Sequence, residues 1–200
     1  MQTINDLPPA TRKRLVQLEE LLKSWSGEKI TSAKICELTG WKDSLVRHDL
    51  WLIGNEARGW KNGYNTADLL TTVQSLNQAE TQNVCIAGLG RLGAALLDDG
   101  LFSDSQFVIK AGFDSNVNRV EILRSTFPLY PAAEMNWVIK QEKITLAILA
   151  VADKDAQAMC DRLVKAGITG IVNMTRMVLS VPEGIKIENL SVLNALKMIT

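Results

Sequence analysis

Residues 83–93 read NVCIAGLGRLG, a largely apolar run followed by Gly88-Leu89-Gly90-Arg91-Leu92-Gly93 and then the apolar-periodic stretch LGAALLDDG. A G-x-G-x-x-G between a strand and a helix is a turn shaped to receive phosphates, and the flanking context makes the short pattern specific. Gly88 permits the tight turn, Gly90 lets the backbone approach a pyrophosphate, and Gly93 lets the helix pack close to the strand. The start of that helix then offers free N–H groups and the positive end of its dipole. The next strand, FVIKAGFD, ends on Asp114, about 20 residues past the last glycine, where a carboxylate can accept hydrogen bonds from an adenosine ribose. The same carboxylate is expected to repel a 2′-phosphate and so to favour NAD over NADP.

Downstream, strands alternate with helical stretches: FVIKAGFD, a helix near NRVEILRS, TLAILAVAD, the helix DAQAMCDRLVKAG, and GIVNM. That alternation implies a mostly parallel sheet, hence an α/β Rossmann domain over residues 81–189. Ala150-Val151-Ala152-Asp153 and Asn173-Met174-Thr175-Arg176 fall at the carboxyl edge, where open α/β sheets hold ligands. The candidate dinucleotide site is therefore Gly88, Leu89, Gly90, Arg91, Leu92, Gly93, Asp114, Ser115, Val151 and Met174. Arg176 stands either to reach a phosphate or acidic partner or to be a solvated strand-end charge. Residues 190–200 carry an apolar Leu193, Leu196, Met198, Ile199 face that needs a docking place.

Upstream the periodicity is helical, and the linker is placed at Asn77–Thr81. Leu15, Leu18, Leu21 and Leu22 form a stripe on a helix from about Thr11 to Trp25, which Gly27 ends. Thr31 or Ser32 can cap a short helix bearing Ile35 and Leu38; Gly40 turns the chain; Asp43 or Ser44 can cap a second helix bearing Val46, Leu50 and Ile53. GNEARGWKNGYN over 54–65 has the glycine and asparagine density of a hairpin turning at Lys61-Asn62-Gly63, and Thr66 can cap a last helix. Residues 1–80 thus read as an α-helical winged helix-turn-helix. Ser44, Arg47, His48 and Trp51 lie on the second helix of the unit, where side chains enter a major groove, and Arg can hold a guanine edge. Arg58 and Lys61, on the hairpin, can reach phosphate or the minor groove. Trp25, Trp41 and Trp60 read as packing, as does Trp51 apart from its place beside Arg47 and His48.

The 200 residues carry 22 Lys+Arg against 22 Asp+Glu, one His and three Cys. Charge is not segregated: residues 1–76 hold 10 basic and 9 acidic side chains, so a DNA footprint must come from local arrangement. The longest apolar run, Leu146–Ala152, is far short of the roughly 20 residues of a membrane span, and MQTINDLPPATRKR lacks the apolar stretch of a signal peptide, so cytoplasmic residence without membrane association is expected. Cys36, Cys85 and Cys160 form no Cys-x-x-Cys pair, and His48 stands alone, so neither a disulfide framework nor a metal site is indicated. Enzyme chemistry is limited by the same shortage.

SLVRHDL, RGWKNGYN, GLGRLG, Phe113-Asp114, GIVNM and LSVPEGI, preceded by PATRKRL, occur in one order across the whole chain. Together they resemble the Rex redox-sensing transcriptional repressors of bacteria. The resemblance implies a homodimer with an N-terminal winged helix that binds double-stranded operator DNA and a C-terminal Rossmann domain that binds NAD(H), with release of DNA when NADH binds. By it, Arg47 reads a base, His48 replaces a lysine, Arg58 is the wing arginine of the minor groove, and the 190–200 segment is a helix swapped across the dimer. The departures cluster at the nicotinamide end. Asp99-Gly100-Leu101 stands for Tyr-Pro-Gly, Ser191 for an aspartate, Glu20 for a first-helix arginine, Met174 for a phenylalanine, and Thr175-Arg176 for Ala-Pro. Two alternatives follow: a Rex-like regulator that senses ATP, ADP or AMP or is insensitive to the NADH/NAD ratio, and an NAD-dependent dehydrogenase. The second needs a proton donor beside the nicotinamide, and no His or Lys/Tyr pair is placed there.

Overall fold

A computed structural model describes residues 4–54, 63–76, 81–98, 100, 102–103 and 105–200. The chain divides into two compact units, Met1–Ala79 and Glu80–Thr200.

In the first unit, α1 (Pro9–Ser24) starts with proline at its first position, where the missing N–H costs nothing. It buries Leu15, Leu18 and Leu22. β1 (Lys29–Ile30) precedes α2 (Ser32–Thr39), whose first turn is capped by Thr31 Oγ1 accepting from the Lys34 N–H at 3.1 Å. Gly40 ends α2 in the left-handed conformation, φ 72°. α3 (Asp43–Leu52) follows with Lys42 at its cap position and no side-chain cap bond, so the expected Asp43 or Ser44 cap does not form. β2 (Tyr64–Asn65) pairs antiparallel with β1, Ile30 opposite Tyr64. This pairing spans more than 30 residues and has no local signature, which is why sequence reading gave no strand at Lys29. Gly63 enters β2 at φ 77° and packs against the Ile30 carbonyl; the rest of the expected hairpin, 55–62, lies outside the described residues. α4 (Thr66–Leu76) is capped by Asn65 Oδ1 on the Asp68 N–H, 3.1 Å, while the Thr66 hydroxyl donates instead to the Gly27 carbonyl. The four helices share one core of Leu15, Leu22, Ile35, Val46, Leu50, Leu69 and Val73.

Within that core lies one charged cluster. The buried Asp49 of α3 accepts from Arg14 Nη2 at 2.9 Å, from Arg14 Nε, and from Thr11 Oγ1 at 2.9 Å. It ties α3 to α1.

The second unit is a six-stranded, all-parallel sheet: β3 (Gln82–Ala87), β4 (Phe107–Asp114), β5 (Leu129–Pro131), β6 (Leu146–Leu149), β7 (Gly170–Asn173) and β8 (Lys186–Asn189), in spatial order β5-β4-β3-β6-β7-β8. That is the doubly wound order of dinucleotide-binding folds, reversing direction between β3 and β6. Helices α5 (Arg91–Ala94), α6 (Val117–Ile122), α7 (Met135–Gln141), α8 (Ala156–Ala166) and α9 (Val192–Met198) connect or follow the strands. Sequence reading missed β5 and α7, although Met135, Val138 and Ile139 carry helical spacing and are buried. It also drew the helix after the glycines too long, since α5 is a single turn.

Two cores cover the two sheet faces. On one, Cys85, Ala87, Ala111, Phe113 and Leu149 pack with Met135 and Ile139 of α7 and Cys160 and Leu163 of α8. On the other, Val84, Ile86, Ile109 and Ile148 pack with Leu89, Leu97 and Phe127. Strict alternation would put Ile109 on the same face as Ala111 and Phe113. A register shift, Val84 opposite Ile109 but Cys85 opposite Ala111, makes Lys110 the extra residue of a bulge and sends Ile109 to the other side.

Replacing Asp49 by alanine leaves the Arg14 guanidinium, 17% exposed, without its carboxylate. The full chain is expected to lose about 2–4 kcal/mol in urea unfolding, the cost of breaking a mostly buried pair. A loss under about 1 kcal/mol would mean that solvent screens the contact.

Candidate functional site

The crevice at the strand-order reversal is built by three glycines whose constraints differ. Gly88 follows β3 at φ 97°, and a side chain there would stand 2.7 Å from the Ala150 carbonyl and from Val151 beyond β6. Gly93 is tighter still, because an added β-carbon would lie 1.8 Å from the Gly88 carbonyl oxygen. Gly90 is the opposite case: nothing lies within 4 Å of its added β-carbon. It therefore leaves a clear approach to the backbone, as a phosphate-binding turn requires. Arg91 is exposed beside it, and its side chain makes no hydrogen bond or ion pair among the described residues. Because α5 is one turn long, its dipole is small, and the turn's own N–H groups and Arg91 are what an anion would meet.

Leu89 turns inward, 2% exposed, so its part in the site is its backbone. That backbone N–H donates to Asp114 Oδ2 at 2.7 Å. Asp114 also accepts from the Asn116 N–H through Oδ1, 2.7 Å, and from Arg119 Nη1 through Oδ2, 3.3 Å. The carboxylate thus holds the glycine turn to the end of β4, and its side chain is 4% exposed against 51% for Arg119. Arg119 was not among the expected site residues; its signal was a cation five residues past the acid, in the first turn of the next helix. Leu92 and Ser115 are exposed, Val151 and Met174 half-buried at the ends of β6 and β7, and Met174 packs against the cluster that holds Leu89.

Arg176 has an acidic partner. Its Nη2 lies 2.6 Å from Asp153 Oδ2, its Nε donates to the same oxygen at 2.7 Å, and its backbone N–H donates to Oδ1 at 3.1 Å. Those backbone and guanidinium donors hold the Asp153 carboxyl below its ordinary range. The pair ties the edge of β6 to that of β7, and Asn173 Oδ1 fixes Thr175 from below through its N–H and hydroxyl. Ser191 caps α9 by accepting from the Asn194 N–H, and Glu20 is exposed in an ion pair with Lys23. Asp99 and Leu101 lie outside the described residues. Thiol chemistry is remote from all of this, as burial pushes Cys85 up to about 12 and raises Cys160 as well, leaving both as thiols.

In the first unit, α3 buries Val46, Asp49 and Leu50 and turns Ser44, Arg47, His48 and Trp51 outward. Trp51 is 54% exposed, with its ring 6.0 Å from that of His48, so it is not a packing residue. Arg47 Nε lies 2.7 Å from Asp43 Oδ2 one turn earlier. The expected Arg58 and Lys61 contacts fall outside the described residues. No group of three or more His, Cys, Asp or Glu able to hold a metal, and no helix long and apolar enough to cross a membrane, occurs among the described residues.

Comparison with known proteins agrees with this anatomy. Residues 79–177 match the family described as CoA binding domain. The redox-sensing transcriptional repressor Rex of Limosilactobacillus reuteri is 32% identical over 96% of this chain and 91% of its own length. That of an Exiguobacterium species is 34% identical over 92% and 86%. Among solved structures, RSP, a Rex-family repressor, superposes with a TM-score of 0.84 at 28% identity, covering 96% of this chain and 91% of its own. RSP in complex with β-NAD+ and operator DNA gives 0.83 at 26%, covering 96% and 90%. With an N-terminal helical unit and a parallel Rossmann-like sheet in that order, and with this similarity along nearly its whole length, the chain belongs to the Rex family of redox-sensing transcriptional repressors.

Proposed function

We propose that this chain is a homodimeric repressor that binds double-stranded operator DNA through residues 1–80 and NAD(H) through residues 81–189, and that ligand binding changes its hold on DNA. The observation that carries the reading is the Gly88–Gly93 turn, tight at both outer glycines and open at Gly90. Gly90 and Arg91 would receive the pyrophosphate, Asp114 and Ser115 would face the adenosine ribose, and Val151 and Met174 would line the nicotinamide half. Support comes from RSP, whose structures include complexes with β-NADH and with β-NAD+ and operator DNA.

On the DNA side, Ser44, Arg47, His48 and Trp51 would face the major groove, with Arg58 and Lys61 on the wing. Two copies are needed to place two such helices roughly 34 Å apart on successive major grooves. The 190–200 segment supplies a means: every residue of α9 is exposed, including Val192 at 75% and Leu196 at 51%, an apolar side suited to docking on the partner. Nucleotide bound in the Rossmann domains would then change the spacing of the paired DNA-binding helices.

The deciding experiment titrates the purified chain with NAD, NADH and AMP, then measures binding to a duplex selected by the chain itself, with and without each ligand. Tighter NADH binding coupled to DNA release supports the redox reading. Equal affinities for NAD and NADH would leave a repressor of the same build that reads another adenine ligand. Hydride transfer with added alcohols or hydroxy acids would instead make it a dehydrogenase.

Two substitutions separate structure from binding. Gly90→Ala is expected to keep stability within about 0.5 kcal/mol while weakening NADH at least about tenfold, because the methyl fills the ligand's approach. Gly93→Ala is expected to unfold the second unit, because its β-carbon meets backbone that cannot retreat. In fluorescence anisotropy, Arg47→Ala should cost about 1–3 kcal/mol of operator binding and relax preference at one base pair.

A further inference from the structure

Resting on the DNA-binding reading above, we infer that His48 is a proton-linked operator contact: it takes up a proton when α3 meets the duplex, so this chain holds DNA more tightly as the pH falls. His48 is the one imidazole in the chain, and its side chain is 57% exposed on the outer face of α3. Its Nδ1 lies 3.9 Å from Oδ1 of the buried Asp49. That carboxylate accepts from Thr11 Oγ1 and from Arg14 Nε and Nη2, so of its roughly four acceptor positions about one is left for a further donor. The Trp51 ring, 6.0 Å away and tilted by 31°, lies one turn further along the same face and flanks the imidazole.

A neutral imidazole carries one N–H and one lone pair, so it donates to one side only. The protonated ring donates from both nitrogens, Nδ1 toward Asp49 and Nε2, at the tip of the ring, toward a phosphate oxygen or the N7 and O6 acceptors of a guanine. A nearby negative charge favours the charged form of a histidine. The free protein offers only Asp49, whose charge Arg14 balances, whereas the duplex adds its phosphates. The other charges on the helices around α3 are mostly paired among themselves: Lys23 with Glu19 and Glu20 on α1, Lys34 with Glu37 on α2, and Asp43 with Arg47 on α3 itself. Arg12 and Lys13, near the start of α1, act on the ring in free and bound protein alike, so they do not create a difference between the two states. The complex therefore holds more protons than its separated parts, and affinity rises as pH falls and is lost as pH rises through the histidine range, about pH 5 to 8. Burial moves Cys36, Cys85 and Cys160 upward, away from that range.

The test is fluorescence anisotropy of the full chain, without nucleotide and at one low salt concentration, on a duplex selected by the chain itself, at about pH 6 and about pH 8. With two copies on the duplex, binding is expected to be at least about fivefold tighter at the lower pH. His48→Gln and His48→Lys, at an exposed position that tolerates either side chain, should each change by less than about twofold between the two pH values. Of the two, the lysine variant should bind the more tightly at the higher pH, because its charge is permanent there. A smaller pH effect than about fivefold in the unsubstituted chain, or an effect of the same size in His48→Gln, overturns the inference and leaves the DNA-binding reading standing. Failure to bind any duplex at either pH overturns that reading and the inference with it.

Discussion

The Gly88 carbonyl oxygen lies where a β-carbon on Gly93 would have to be, and the whole nucleotide crevice is arranged around that contact. It lets the first turn of α5 fold directly back on the end of β3. Gly88 in turn needs its positive φ because the Ala150 carbonyl closes the other side, and its N–H is held by the Phe113 carbonyl at 2.8 Å. Three strands, β3, β4 and β6, therefore converge on one residue. Asp114 completes the lock through the Leu89 N–H, so the acid that marks the ribose end also sets the turn's backbone. The open space at Gly90 is what remains once those constraints are met.

How legible this was depended on whether the deciding contact is local. The glycine turn, the stripe Leu15, Leu18, Leu22 and the helix within DAQAMCDRLVKAG are fixed by neighbours within a few residues, and sequence reading located them. The β1–β2 pair joins segments far apart in the chain, and the Lys110 bulge is a feature of how β4 registers against β3. Neither leaves a local trace. The short α5 is a related case, since LGAALL carries helical spacing but the chain leaves the helix after Ala94. At the site, Asp114 was readable from its distance to the glycines, whereas its engagement by Asn116 and Arg119 depends on how the chain turns after β4.

The first unit shows how a helix can be held from one side while its other side stays exposed. The charge that α3 buries, Asp49, is matched by Arg14 from α1, so the helix is held by a fixed ion pair while Ser44, Arg47, His48 and Trp51 stay exposed. Arg47 is aligned along α3 by Asp43, an exposed contact of small energy that a guanine edge could replace at little cost. His48 and Trp51 extend the same face by one turn. The arrangement places an arginine, a histidine and a tryptophan on one exposed face without a basic domain, in keeping with the nearly even count of basic and acidic residues in each part of the chain.

Redox discrimination makes a narrower demand. NAD and NADH are identical except at the nicotinamide, and a ligand shifts an equilibrium only through differential affinity for its two states. On the proposed reading the glycine turn and Asp114 address the half that the two forms share, so neither can tell the forms apart. On the proposed reading discrimination falls to the nicotinamide half, at the ends of β6 and β7, where Val151 and Met174 are half-buried and Asp153 is bound by Arg176 through backbone and side chain together. A positive charge develops on the nicotinamide ring only in the oxidised form. A nearby carboxylate would favour that form, and a guanidinium paired with it would offset the preference. An acid as fully paired as Asp153 is with Arg176 therefore adds little to such a preference.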